Sequence, residues 1–376
     1  MRLAGIALLM SLGLAPVAVG QTPGECAGQP LSPLPEPWLN TAVAITTFTE
    51  TGKPADYSAI ADNADEQGMS IGILQWNFGQ GTIAKIVNGT QNVDAVALET
   101  MPTFGKKFVA EAKRSGGSKS ERDAATAWVA GAQTSDKATL HAELRKFLAH
   151  PAVQKSQDNA ARAEGEEAWK RASAWMEKVR TGCTPQFAQF AVFFDYLNHG
   201  GKGNSIEITD VVAAYGEARG KNIDSATRNK YSQFIAFGEA TWVMGFPHYR
   251  PCTIPSIERS QENDKNEVTD VSNKHAWDSQ YNCAIWSDMI KFNTGENLWK
   301  NEIYFLAAQG ARFRPGYREI FFNRKGTIAL GRGVINGSMC DFRPLYIDRE
   351  KNRPATLSEI SAAVKSSCGT ASPVAN

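Results

Sequence analysis

Thr47-Phe48-Thr49-Glu50-Thr51-Gly52, followed by Tyr57 and then by Asp65-Glu66-Gln67-Gly68-Met69-Ser70-Ile71-Gly72-Ile73-Leu74-Gln75-Trp76-Asn77, is the most informative stretch of this sequence. From Pro37 to Thr49 the chain carries no charge. The part from Leu39 to Thr49 is apolar and Thr-rich, compatible with a buried helix or a strand, because periodicity alone does not separate the two. A carboxylate leaving such a segment is expected to be poorly hydrated, a setting that suits a general acid. Asp65 follows fifteen residues after Glu50 in a Gly-containing turn. Glycines there let the backbone turn sharply and approach a ligand closely. Ser70-x-Gly72 then leads into an apolar run ending in Gln75-Trp76, which fits a short strand or turn carrying polar tips beside an aromatic ring.

Two carboxylates on facing segments are the minimum equipment for cleaving a glycosidic bond, and ordinary solvated acids in a surface turn are the plain alternative. A resemblance favours the first. Glu50 followed by Asp65-x-x-Gly68-x-Ser70-x-Gly72 resembles the signature of bacterial chitosanases. The resemblance implies Glu50 as general acid, Asp65 as general base and Ser70 as the hydroxyl that helps hold the attacking water. Gly72-Ile73-Leu74-Gln75 is similar to the Gly-Leu-Met-Gln motif of goose-type lysozymes and lytic transglycosylases, which also place a Glu upstream. Both families imply a lysozyme-like two-lobed fold, mainly α (α+β), with a small β element at the cleft. Phe194-Asp195-Tyr196-Leu197-Asn198-His199-Gly200-Gly201 resembles the Asp-x-x-x-Gln-x-Gly helix end that lines the cleft from the second lobe in such enzymes. Arg324-Lys325-Gly326-Thr327-Ile328-Ala329-Leu330-Gly331-Arg332-Gly333 looks like the C-terminal Arg-x-x-Ile-x-x-Gly-x-Gly segment of peptidoglycan-active relatives. Gln67 departs from the chitosanase signature, where an Arg stands.

The resemblance thus makes Glu50 and Asp65 the catalytic candidates, with Ser70, Gln75, Trp76, Tyr57, Asp195 and Asn198 as substrate-binding residues. Trp76, Trp242 and Trp277 are candidates for stacking on sugar faces, with core packing as the alternative for each. The partner implied is a polysaccharide of β-1,4-linked amino sugars, peptidoglycan or chitosan. Hydrolysis with inversion, lytic transglycosylation by Glu50 alone, and a non-catalytic glycan-binding protein all remain open readings.

Composition narrows the field. The chain has 376 residues, 40 Lys+Arg against 39 Asp+Glu and a formal charge of +1. That balance argues against a nucleic-acid partner, which calls for a basic excess. A cleft for the polycation chitosan would be strongly acidic, so electrical balance fits wall glycan better. Met1-Arg2, the apolar stretch Leu3 to Val19 and Ala18-Val19-Gly20 read as a secretory signal peptide over 1–20, with an N-terminal anchor as the alternative. A secreted or periplasmic location follows, with no membrane span after processing. Six Cys in an exported chain predict disulfides, with Cys252–Cys283 and Cys340–Cys368 as the pairs of modest loop-closure entropy. No Cys or His pattern suggests a metal, Asp264-x-Asn266 with Asp270 lacks a calcium loop's glycine and terminal glutamate, and no cofactor is expected.

Around the signature the chain reads as mostly helical. Residues 21–37 hold five Pro and predict an extended lead-in. Residues 38–365 form the predicted catalytic domain, with a helical insertion at about 105–181 that has no counterpart in the chitosanase signature. Within it Ser115-Gly116-Gly117 is a break, Asp136 a cap and Pro151 a helix start. Pro185 to Asn198 is a predicted helix with Phe187, Phe190, Ala191, Phe194 and Leu197 in the core. Residues 257–280 predict a polar loop, 286–310 a helix and 366–376 a frayed tail. No Gly-x-Ser-x-Gly elbow and no HExxH occur, and Asn88-Gly89-Thr90 and Asn336-Gly337-Ser338 match glycosylation sequons.

Overall fold

Glu36–Thr51 forms the central helix, α1, and its residues from Trp38 to Thr49 are buried except Asn40. In the computed structural model, residues 33–62, 68–179, 183–200, 318–351 and 353–370 are described, with Asp278, Asn282 and Ile285 individually. The strand alternative for Leu39–Thr49 is settled as helix. A helix enclosed on every side can be apolar all round, so it shows no stripe to read. Its threonines are accommodated by bonding back to the preceding turn: Thr41 Oγ1 donates to the Pro37 carbonyl at 2.8 Å and Thr51 Oγ1 to the Thr47 carbonyl at 2.9 Å. The predicted lead-in stops short of residue 37, because Pro35 (φ −67°, ψ 133°) is the N-cap and Pro37 fits the first turn. Gly52 ends the helix, its N–H donating to Phe48 at 2.8 Å.

Three two-residue strands follow: β1 (Ile60–Ala61), β2 (Ser70–Ile71) and β3 (Trp76–Asn77). They form an antiparallel sheet in sequence order, with Ile71 opposite both Ile60 and Trp76. Helices α2 (Ile83–Gly89), α3 (Val93–Thr100) and α4 (Gly105–Ser115) come next. Helix α5 (Lys119–Ala149) opens on a Ser118–Glu121 capping box and is interrupted at Asp136 (φ −155°, ψ 70°). There Asp136 Oδ1 accepts the Thr139 N–H at 3.1 Å and caps the second half, as expected of it. Helix α6 (Pro151–Val179) starts at the predicted proline.

Helix α7 (Phe187–Gly200) begins two residues later than predicted, since the Gln189 side chain takes the Gln186 N–H at 2.7 Å. It packs on α6 and α1, and Trp38 meets Trp169, Phe187 and Phe190 at ring-centroid distances of 5.7, 5.6 and 6.2 Å. Helix α8 (Arg318–Leu330) lies against α7 and leads into a hairpin, β4 (Arg332–Ile335) and β5 (Ser338–Asp341). The hairpin turn is Asn336-Gly337 with φ of 52° and 76°, the pairing that suits a tight two-residue turn. Helices α9 (Arg343–Glu350) and α10 (Leu357–Ser366) close over α1.

The fold is mainly α with two small antiparallel sheets. One expectation is corrected. The tail does not fray from residue 366: Cys368–Thr370 is a strand, β6, paired with β5 and tied by the predicted Cys340–Cys368 disulfide. Among the described residues one hydrophobic core runs through α1–α7, and Ala168, Ala172 and Trp175 of α6 are buried in it. Cys183 is also disulfide-bonded. The signal peptide, Asp65, Trp242, Trp277, the Cys252–Cys283 pair, the helix over 286–310 and all but one residue of the 257–280 loop lie outside the described residues.

Candidate functional site

Glu50 occupies the last turn of α1, just past its buried run, with its side chain one-third exposed. The poorly hydrated apolar setting expected for it is not found: the Arg324 guanidinium, itself 2% exposed, bonds Glu50 Oε2 through Nη1. The apolar residues of α1 are spent on the core, and the carboxylate emerges where that core ends.

Arg324 comes from α8 and is held from the other side by Asp195 of α7. Its Nε donates to Asp195 Oδ1 and Oδ2 at 2.9 and 3.1 Å, and its Nη2 donates to Oδ1 at 2.5 Å and to the Thr46 carbonyl at 3.3 Å. Such a fork fixes a guanidinium in orientation as well as in place. Lys325 Nζ also bonds Asp195 Oδ2 and lies 5.8 Å from the centre of the Tyr196 ring. Asp195, Arg324 and Lys325 are all buried, and among the described residues two cations and two anions meet here. Burial works against the Arg324 charge, but Asp195 and Glu50 outweigh it and hold the guanidinium above its ordinary range. For Lys325 burial wins, with Arg324 adding to it against the pull of Asp195, and the ammonium is pushed down to about 8.

Next to the end of α1 stands the small sheet with its Gly72–Gln75 turn. Gly72 (φ 76°) and Gln75 (φ 53°) both adopt the left-handed conformation, and the Gln75 amide folds back onto the Gly72 carbonyl at 2.9 Å. The Thr47 hydroxyl of α1 bonds the Ile73 carbonyl. Gln157 of α6 accepts the Ile73 N–H at 3.0 Å and donates to the Tyr57 carbonyl at 3.1 Å. Tyr57 donates its phenol to Asp158 at 2.5 Å. Burial, reinforced by Asp158, pushes the Tyr57 hydroxyl well above its ordinary range, and burial raises Asp158 despite that bond. From the far side Asn336, at the tip of the β4–β5 hairpin, donates to the Thr49 carbonyl at 3.2 Å. The amide of one sequon is therefore engaged in packing.

Glu50 and Asp195, taken from separate sequence stretches, are brought together through Arg324. Ser70 lies half-buried on β2, opposite Ala61 and Asn77. Asn198 lies half-buried three residues beyond Asp195, on the same side of α7. Trp76 is a correction. It is 2% exposed, stands under Gly72 and turns its indole N–H towards Glu164 at 3.4 Å, so no ring face is offered to a ligand. Asp195 is likewise buried, bonded by Arg324 and Lys325. Gln157 and Asp158 were not singled out by the sequence reading. Two adjacent charges in the otherwise uncharged stretch from Phe321 to Leu330 were the available signal for Arg324 and Lys325.

Among the described residues no helix is long and apolar enough to cross a membrane, and no cluster of three or more metal-ligating side chains occurs. Comparison with known proteins finds no matching family model, no matching curated protein and no matching solved structure.

Proposed function

We propose that the protein is an exported, lysozyme-like glycosidase that cleaves β-1,4-linked amino-sugar glycan, with peptidoglycan favoured over chitosan. Glu50 is the proton donor in this reading. The observation that carries it is the convergence of Glu50, Asp195 and Arg324 into one bonded cluster. Each lies in a stretch that resembles wall-glycan enzymes, and residues 129 and 274 positions apart have no local reason to meet. A partly open carboxylate fixed by a guanidinium is held in one orientation. Asp195 takes three of the hydrogen bonds of Arg324 and so fixes the guanidinium that orients Glu50.

Asp65 acts as the base in this reading, activating a water on the opposite face of the sugar and inverting the product. Its alternative, Glu50 alone acting as acid and then base, gives 1,6-anhydro ends. Pure protein incubated with sacculi, chitin oligomers and chitosan in parallel is the deciding experiment, with mass spectrometry of the products. Cleavage of sacculi to reducing ends is expected. Glu50→Gln keeps the shape, removes the donor and should lower turnover by about 10²-fold or more. Normal digestion by that variant rules out Glu50 as the acid, and cleavage of none of the glycans favours a binding protein instead.

A further inference from the structure

Ile73 is gripped through its backbone from two helices at once. Its carbonyl meets the Thr47 hydroxyl, one turn before Glu50, and its N–H is taken by Gln157. The other end of the same amide donates to Tyr57, seven residues beyond Glu50. Exchanging the O and N of Gln157 would set donor against donor and acceptor against acceptor, so its partners determine its orientation. Gln157 is completely buried, and Asp158 beside it takes the Tyr57 phenol, so consecutive residues of α6 hold one tyrosine by backbone and side chain. A Cβ at position 72 would stand 2.3 Å from Gln157 Oε1, which accounts for glycine there. The last turn of α1, the segment to Tyr57, Gln157 and the Ile73 peptide thus close a ring around the base of Glu50.

We propose that Gln157 is a positioning residue of the Glu50 site. It sets the separation between the end of α1 and the Gly72–Gln75 turn, and so the wall against which a bound glycan is aligned, without touching the reacting atoms. This makes α6 part of the site. The inference rests on the reading of Glu50 as acting on glycan.

Two variants of the full chain test it. Gln157→Leu removes both hydrogen bonds. Gln157→Glu keeps the acceptor for Ile73 when ionised but has no proton for Tyr57, whereas its protonated form supplies both. Assayed well below its own melting temperature on the glycan that the wild type cleaves best, Gln157→Leu should lose about tenfold or more in kcat, with KM changed less than about threefold. The kcat of Gln157→Glu, taken as a ratio to wild type at each pH to cancel Asp158, Tyr57 and Glu50, should recover as pH falls from about 7 towards about 4. A residue that only packs would lower the melting temperature, leave kcat intact and give a flat ratio, and either a retained kcat or a flat ratio overturns the inference. If the wild type cleaves no glycan, the functional reading fails and the inference with it. If the wild type is active and Gln157→Leu matches it, the inference alone fails.

Discussion

On one side of Glu50 four formal charges are packed against one another, three of them out of reach of water; on the other, the Gly72–Gln75 turn is held by neutral amides, a hydroxyl and carbonyls. The two kinds of brace differ in how they fail. A net hydrogen bond between neutral groups is worth about 0.5–1.5 kcal/mol, and a buried neutral group left without a partner costs about 1–3. A buried ion left without its counterion costs more, while an intact ion pair adds little over a well-packed apolar core. The charged cluster therefore stands or falls as a unit and governs whether α1, α7 and α8 assemble. The neutral brace gives way in small steps and governs where the turn sits.

The largest expected effect is on the charged side. Asp195→Ala removes the carboxylate that Arg324 and Lys325 share, and should lower stability by about 3–5 kcal/mol in chemical denaturation. A loss below about 1 kcal/mol would mean that water reaches the cluster, and the contrast with the neutral brace would vanish.

Gly72→Ala tests the neutral side. The left-handed backbone alone should cost about 1–2 kcal/mol, and the new methyl must also push Gln157 aside. Combined with Gln157→Ala, which vacates that space, the double variant should be less destabilised than the sum of the single ones. Strict additivity would show that glycine at 72 serves the turn alone and not the passage of Gln157.

This contrast also explains what could be read in the sequence. Asp195 and Arg324 lie in stretches whose residue types stand out: an acid after a Phe-rich helical face, and two cations inside an otherwise uncharged run. Charges in apolar surroundings must find each other, so they leave a trace. Gln157 leaves none, because it is one polar residue among many on a polar helix, and its partners are backbone atoms 84 and 100 positions away. Helices marked by proline and glycine, α6 above all, were legible from local chemistry. Helix α1 was not, since its threonines suit a strand and only tertiary enclosure makes it a helix. Trp76 misleads for a related reason: Gln75 and Asn77 on either side suggest a surface, but Trp76 and Asn77 are both buried, and the indole turns to Glu164. The strand Cys368–Thr370 was hidden by its small polar residues, although the disulfide that anchors it was legible from spacing.

The last expected effect is confined to alkaline pH and asks how ionic the charged side is. In the folded protein burial moves Lys325 down to about 8 from the ordinary 10.5. Between these two values the unfolded chain holds a proton that the native state has released, so stability contributed by this group rises with pH across that window. Below about 8 both states are protonated and the contribution is constant at its least favourable. Arg324 is held charged through this window, and the buried Tyr346 hydroxyl is pushed well above its ordinary range. Comparing wild type with Lys325→Met in urea at several pH values cancels the remaining titrations. The difference should be flat up to about pH 8 and then shift in favour of the wild type by at most about 1.4 kcal/mol per pH unit. A difference that stays flat to pH 10 would mean that Asp195 holds the Lys325 proton against burial. The cluster would then carry two full pairs at every working pH. A rise beginning near 8 would mean that in mild alkali Lys325 is neutral while Arg324 still carries its charge between Asp195 and Glu50.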